Sequence, residues 1–342
     1  MDTKKVVTFG EIMMRLATPR RLRFSQAHEL ELTYGGGEAN VAVSLANFGV
    51  PASFVTRLPL NPFGDGAIAN LRSYGVDTKH IVRGGDRIGI YFLEPGASQR
   101  PSVVVYDRAG SAISCCTPQD FDWGDIFDGA GWFHFTGITP ALGDGAASAA
   151  RAACVAAKGC GLTISCDLNY RRKLWSKAEA QLVMSELMQW VDVLIANEED
   201  TASVFGIHAE NSDLEAGSLN LPGYEAVAKK VTEQFDIPTV AITLRQSISA
   251  DRNGWAAMLF QDGKFHHSPN YDMQIVDRVG GGDSFAAGLI YGNITGMPSQ
   301  HALNFATAAS CLKHSISGDF NLVSVEEVKQ LMLGNGSGRV QR

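Results

Sequence analysis

Three consecutive glycines, Gly280, Gly281 and Gly282, stand directly before Asp283 in the run Val276–Gly288, and a helix is expected from about Asp283. Glycines let backbone N–H groups converge, and the unsatisfied donors and dipole of a helix start favour an anion there. A carboxylate in that place would repel a phosphate if the loop only bound it. It makes sense if Asp283 takes a proton from an attacking hydroxyl while the loop holds the transferring phosphoryl group. On this segment alone the other reading, Asp283 as a helix cap behind a flexible loop, stays open. A second glycine-led helix start lies at Tyr34–Ala42, where Gly35, Gly36 and Gly37 open the backbone and Asn40 offers donors and an acceptor. Alone it reads as a tight strand-to-helix turn. Neither the GxGxxG nor the GxxxxGKS/T spacing occurs, so dinucleotide and P-loop readings have no support.

The elements that must position these residues alternate between strand and helix. Strands are expected at Lys5–Phe9, Ser53–Leu58, Trp132–Phe135, Leu162–Asp167, Val191–Ala196 and Thr239–Ile242. Helices are expected at Glu38–Phe48, Phe63–Tyr74, Asp144–Lys158 and Ser176–Trp190, and Asn197 can cap a further one. Such alternation with apolar strands implies a mostly parallel sheet covered by helices on both faces. Two segments break the rhythm: Met13–Tyr34 is polar and Arg-rich, and Ile90–Glu94 with Val103–Arg108 has a hairpin signature. Together they could form a small separate β-layer. Glu210–Gly223 reads as a surface insertion and Gly334–Arg342 as a frayed tail. No linker divides the chain, so residues 1–342 read as one domain with a lid from about 13–34 and 85–110.

The balance of 29 basic against 36 acidic side chains in 342 residues, net charge −7, argues against nucleic acid or an anionic membrane as main partner. With 45% apolar and 19% charged residues the chain is of globular type, and no apolar run approaches the roughly 20 residues of a membrane span. The N-terminal apolar run is interrupted at Glu11 and Arg15, too early for a secretory signal, and six cysteines without CxxC spacing suit reduced thiols. The cytoplasm is the expected compartment. His266–His267 would face opposite sides of a strand, with no Cys/His cluster to complete a transition-metal site.

Taken as a pair, the glycine-rich helix starts near residues 35 and 280 resemble the two signatures of the PfkB/ribokinase family of sugar kinases, a likeness running from Thr8 to about Lys329. The resemblance implies an α/β, ribokinase-like three-layer α/β/α sandwich with a small β-sheet lid over the sugar. It implies Asp283 as catalytic base, Gly280, Gly281 and Gly282 as anion hole, and ATP with Mg²⁺ as cofactors. Gly281 stands where the usual motif has alanine, and Asp200 closes an N-x-x-E-like run begun by Asn197, the candidate metal-side pair. Some relatives also use a monovalent cation, for which Asp277 is the candidate, with a loop-capping role for Asp277 equally open. Within the family the likeness is greatest to kinases of 2-keto-3-deoxygluconate. Gly89–Phe92, Val105–Ala112, Thr136–Leu142, Asp167–Arg171 with Leu174–Trp175, and Gly318–Asp319 carry it. Substrate contacts are thereby expected from Gly36, Gly37, Asn40, Tyr91, Tyr106, Arg108, Ile138, Arg171, Asp283 and Asp319. Nucleotide contacts are expected from Asn169, Thr243, Arg245, Gly280, Gly282 and Asn304. Tyr106 and Arg108, two apart on a strand, share one face, and Arg108 and Arg171 suit an anionic sugar acid, unless both are surface ion-pair partners. A homodimer through the lid follows by analogy. The rivals are a kinase of another sugar (fructose, ribose or 5-dehydro-2-deoxygluconate) and a non-catalytic sugar-binding regulator on the same fold.

Overall fold

The computed structural model describes residues 4–197, 199–209 and 220–334. Its main sheet has nine strands. From Ala52–Val55 through Lys5–Phe9, Ala130–Thr136, Thr163–Asp167 and Val193–Ala196 to Thr239–Ser247, every neighbouring pair is parallel. Arg252–Gln261 then pairs antiparallel with Thr239–Ser247, and Lys264–His267 and Tyr271–Gln274 with it in turn. The sheet is therefore mixed, because a short reversal after Ser247 sends the chain straight back beside the strand it has just left. Thr243 and Arg245 lie inside that strand, which runs on past the expected Ile242 to Ser247, and only the four residues 248–251 separate it from the next.

The parallel strands are apolar on both faces because both are covered. On one face the helix Asp144–Gly159 presents Ala146, Ala149, Ala150, Ala153 and Ala157, all fully buried, beside helices Lys177–Leu187 and Leu221–Phe235. On the other lie Gly37–Asn47, Gly281–Ile294 and Ser299–Lys313. The last two pack closely because a Cβ on Gly288 would sit 2.7 Å from the Ala306 backbone and one on Gly292 2.6 Å from Ala302. That approach holds the start of the helix carrying Asp283 in place. The three layers are those the family resemblance implies.

The strand expected over 53–58 divides: Ala52–Val55 joins the main sheet, while Arg57–Leu58 pairs with Val82–Arg83. Of the expected insertion, Leu221–Gly223 is the first turn of a helix; 210–219 lie outside the described residues, as does the tail beyond Gly334. The two irregular segments do form a separate sheet, ordered Glu31–Gly35, Met13–Ala17, Gly89–Glu94, Val103–Asp107. Its register places Arg15 beside Tyr91 and Tyr91 opposite Tyr106. Among the described residues no helix is long and apolar enough to cross a membrane.

Candidate active site

Open α/β sheets bind ligands beyond the carboxyl ends of their parallel strands. Here a cavity of about 470 Å³ lies there, between the main sheet and the four-stranded one. Asp283 stands in the first turn of Gly281–Ile294, behind Gly280, whose φ of 82° suits glycine. The helix has no side-chain cap. The Asp283 carboxylate instead accepts a 2.7 Å hydrogen bond at Oδ2 from Asn40 Nδ2, and Asn40 Oδ1 accepts from the Gly36 N–H. One amide thus joins the two glycine motifs, which disposes of the capping reading. Gly36 is obligatory, since a Cβ there would meet the Glu11 carbonyl oxygen at 1.9 Å. Beside Gly282 a Cβ would find open space, so this edge of the loop faces the cavity.

Burial pushes the Asp283 carboxyl up to about 6, with the Asn40 hydrogen bond pulling the other way. A base must be ionised to accept a proton. With Asp283 as the base that the resemblance implies, turnover should be constant above that value and fall about tenfold per pH unit below it. A kcat/KM–pH profile checks this; a profile flat down to pH 4.5 would remove Asp283 as the base.

The wall formed by the four-stranded sheet is a buried charge network whose centre, Arg15, the sequence reading missed. Arg15 bonds Asp319 at 2.8 Å and also Asp277, while Tyr91 Oη donates to Asp319 at 2.6 Å. Arg15 is the single polar residue of the strand Met13–Ala17, and only the Arg-rich character of Met13–Tyr34 signalled it. Asp319 fills the space over Gly35, where a Cβ would lie 2.0 Å from its carboxylate. Arg108 lines the cavity, and its guanidinium lies 5.2 Å from the Tyr106 ring centroid, so the two do share a face. Arg108 is also paired with buried Glu11, whose other oxygen accepts from Ser111. Its charge is already balanced before any ligand arrives, a partner that the sequence reading did not include. Glu38 was likewise missed. It is buried and accepts from the Thr136 N–H, Thr136 Oγ1 and Thr139 Oγ1, fixing the loop that carries Ile138 into the cavity.

On the opposite wall, Asp167 closes its strand, Asn169 turns the chain at φ 40°, and Arg171 follows. Burial holds Asp167 well above the usual carboxylate range, reinforced by Asp200 and Asp283; Arg171 opposes this. Asn197 and Asp200 line the cavity but bond each other reciprocally. Asn197 Oδ1 accepts from the Asp200 N–H, Asp200 Oδ2 from the Asn197 N–H, and Asp200 Oδ1 from the Tyr170 N–H. Both Asp200 oxygens are therefore engaged in joining two loops, and Glu199 at the cavity rim is the exposed carboxylate.

Thr243 and Arg245 line the far end with Trp255, Arg278 and His314. The Trp255 and His314 rings lie 5.2 Å apart, tilted by 54°, and both were missed as lining residues. His314 also explains Gly281. A methyl there would lie 2.4 Å from the imidazole, so this chain cannot carry the alanine of the usual motif without moving His314. Two expected site residues do not line this cavity: Asp277, the cation candidate, and Asn304. Asn304 accepts from Gln300 Nε2, which also donates to the His267 carbonyl, so the helix turns it toward the sheet edge at Lys264–His267.

The pfkB family carbohydrate kinase model matches residues 3–322. The chain belongs to this family. It is 55% identical to the 2-dehydro-3-deoxygluconokinase of Thermotoga maritima, whose crystal structure superposes with a TM-score of 0.93 over 97% of this chain and 98% of that one. The 2-dehydro-3-deoxygalactonokinase of Haloferax volcanii is 33% identical over 98% of this chain and 99% of its own length. The 2-dehydro-3-deoxygluconokinase of Thermoproteus tenax is 28% identical, over 96% and 94% respectively. As a carbohydrate kinase of this family, the chain is an enzyme of phosphoryl transfer, and its fold is the ribokinase-like one.

Proposed function

We propose that the chain transfers the γ-phosphoryl group of ATP to the terminal hydroxyl of 2-keto-3-deoxygluconate, the 2-dehydro-3-deoxygluconate of its relatives, or of the galactonate epimer. The observation that carries this reading is Asp283, buried beside three glycines at a helix start and held at one oxygen by Asn40. Oδ2 being committed to Asn40, Oδ1, which faces Gly37, takes the hydroxyl proton as the oxygen attacks in line. The N–H groups of Gly280–Gly282 and the Arg171 guanidinium then stabilise charge on the moving group. Gly36 and Asn40 orient the sugar, while Thr243 and Arg245 lie on the nucleotide side.

Mg²⁺, when bound, neutralises the charge of the nucleotide phosphates. Among the described residues no group of three His, Cys, Asp or Glu could cage a metal. The site therefore fits an ion held chiefly by phosphates and water, with Asn197, Glu199 and Asp167 orienting that water. A monovalent cation beside Asp277 has less room, because Arg15 holds the Asp277 carboxylate and the Lys313 ammonium reaches its carbonyl oxygen. A non-catalytic regulator would have no use for a buried base in an anion hole.

The four-stranded sheet acts as a lid that excludes water from the transferring phosphoryl group. Exposed Leu32, Val103 and Val105, on the face of that sheet turned away from the cavity, support pairing of two lids in a dimer. The six unpaired cysteines agree with a reducing, ATP-containing compartment, the cytoplasm.

The sugar-acid reading is tested at Arg171, which lines both the cavity and the adjoining groove. Losing one charge-assisted hydrogen bond of about 1.5–3 kcal/mol should lower kcat/KM on 2-keto-3-deoxygluconate by roughly 10- to 150-fold in Arg171→Ala. The penalty should be clearly smaller on fructose, which lacks the carboxylate. Equal penalties on both sugars would favour a neutral-sugar kinase.

A further inference from the structure

Lys313, the last residue of Ser299–Lys313, is fully buried. Its three hydrogen bonds among the described residues all go to main-chain carbonyl oxygens: Gly318 at 2.6 Å, Ile316 at 3.2 Å and Asp277 at 3.5 Å. A buried ammonium is costly, and an apolar side chain of similar length would fill the space with no charge to desolvate. Where carbonyl oxygens converge from two loops they form the kind of cage that holds a bare monovalent cation. Here the ammonium itself stands in that cage.

The two loops are those that frame Gly280–Gly282. Asp277 begins the turn into the glycines, and its carboxylate accepts from the Val279 and Gly318 N–H groups. Asp319, next after Gly318, has its carbonyl oxygen 2.0 Å from where a Cβ on Gly280 would lie, with Lys313 Cε 3.3 Å from the same point. Arg15 grips the Asp277 and Asp319 carboxylates from the lid side. The ammonium thus ties the turn to the 316–319 loop directly behind the anion hole. Asp283 also feels its positive charge, though less than it feels burial and the Asn40 bond.

We infer that Lys313 is a tethered cation: its ammonium occupies the carbonyl cage behind Gly280–Gly282, positions that loop, and makes turnover independent of any free monovalent cation. This rests on the reading of Gly280–Gly282 as the anion hole of a phosphotransferase. Lys313 acts through the loop and is a positioning residue. It also accounts for the crowding beside Asp277, where the family resemblance pointed to a monovalent cation.

The test compares turnover in tetramethylammonium chloride, too bulky for the cage, with turnover in KCl or NH₄Cl at equal ionic strength. The wild-type rate is expected to be unchanged. Lys313→Met, which keeps the apolar stem, should lose about 100-fold in kcat through loop misplacement with little change in the sugar KM. K⁺ or NH₄⁺ should restore much of that loss and tetramethylammonium none, a rescue that a merely structural lysine would not allow. Wild type that turns over only with K⁺, or a variant that KCl helps no more than tetramethylammonium does, overturns the inference alone. Wild type silent on every sugar in every salt overturns the phosphotransferase reading and the inference with it. Should Lys313→Met fail to fold, the wild-type comparison decides: independence of K⁺ supports the tethered cation and activation by K⁺ refutes it.

Discussion

Asp283→Asn is expected to lose about 10²–10⁴ in kcat while binding the sugar as before, since removal of a general base costs that much. The amide is nearly isosteric and can still offer an oxygen to Asn40 Nδ2, so the link between the two glycine motifs survives. Burial already favours a neutral group at this position, so the substitution should not weaken the fold. Steady-state assays paired with calorimetric titration of the sugar give the answer. A variant keeping more than about a tenth of wild-type kcat, far above that range, would reduce Asp283 to a bystander. Lost sugar affinity would instead mean that the charge holds the substrate.

Arg15→Met should damage stability more than any other single change at the site. Arg15 is 5% exposed and bridges two buried carboxylates, Asp277 and Asp319. Burial alone would lower its pKa, but Asp277, Tyr91 and Asp319 beside it raise it above its ordinary value, so it stays charged. Removing one member of a buried ionic group leaves uncompensated charge and costs about 3–5 kcal/mol. Urea unfolding of the variant should show a loss of that size, and activity should fall because Asp319 and Tyr91 lose their common anchor. An unfolding curve superimposable on wild type would mean that the two carboxylates do not depend on Arg15.

Local chemistry carried much of the reading. Strand and helix patterning located the layers because the parallel strands are buried on both faces and a helix such as Asp144–Gly159 on one. Lys5–Phe9 is found where the apolar run placed it, and Asp144–Gly159 matches its alanine stripe. The antiparallel extension of the sheet was not legible. The four residues between Thr239–Ser247 and Arg252–Gln261 are too few for a crossover, but the polar residues after Ile242 hid that the first strand runs on to Ser247 and a second begins at Arg252.

By itself, the sequence determined the two glycine-led helix starts, the carboxylate behind the second, and the small separate β-layer. These features are set within a few residues, by backbone freedom and side-chain alternation. Only the tertiary structure decided who pairs with whom. Arg15 reaches Asp277 and Asp319 across more than 260 positions, Glu11 takes the charge of Arg108, Glu38 holds the Thr136–Thr139 loop, and His314 leaves room at residue 281 for nothing larger than glycine. Asn304 faces away from the cavity for the same kind of reason: helix phase relative to a distant strand is set by packing. Such partners meet only when the sheets and helices close on one another, and burial then makes each unpaired charge too costly to leave alone.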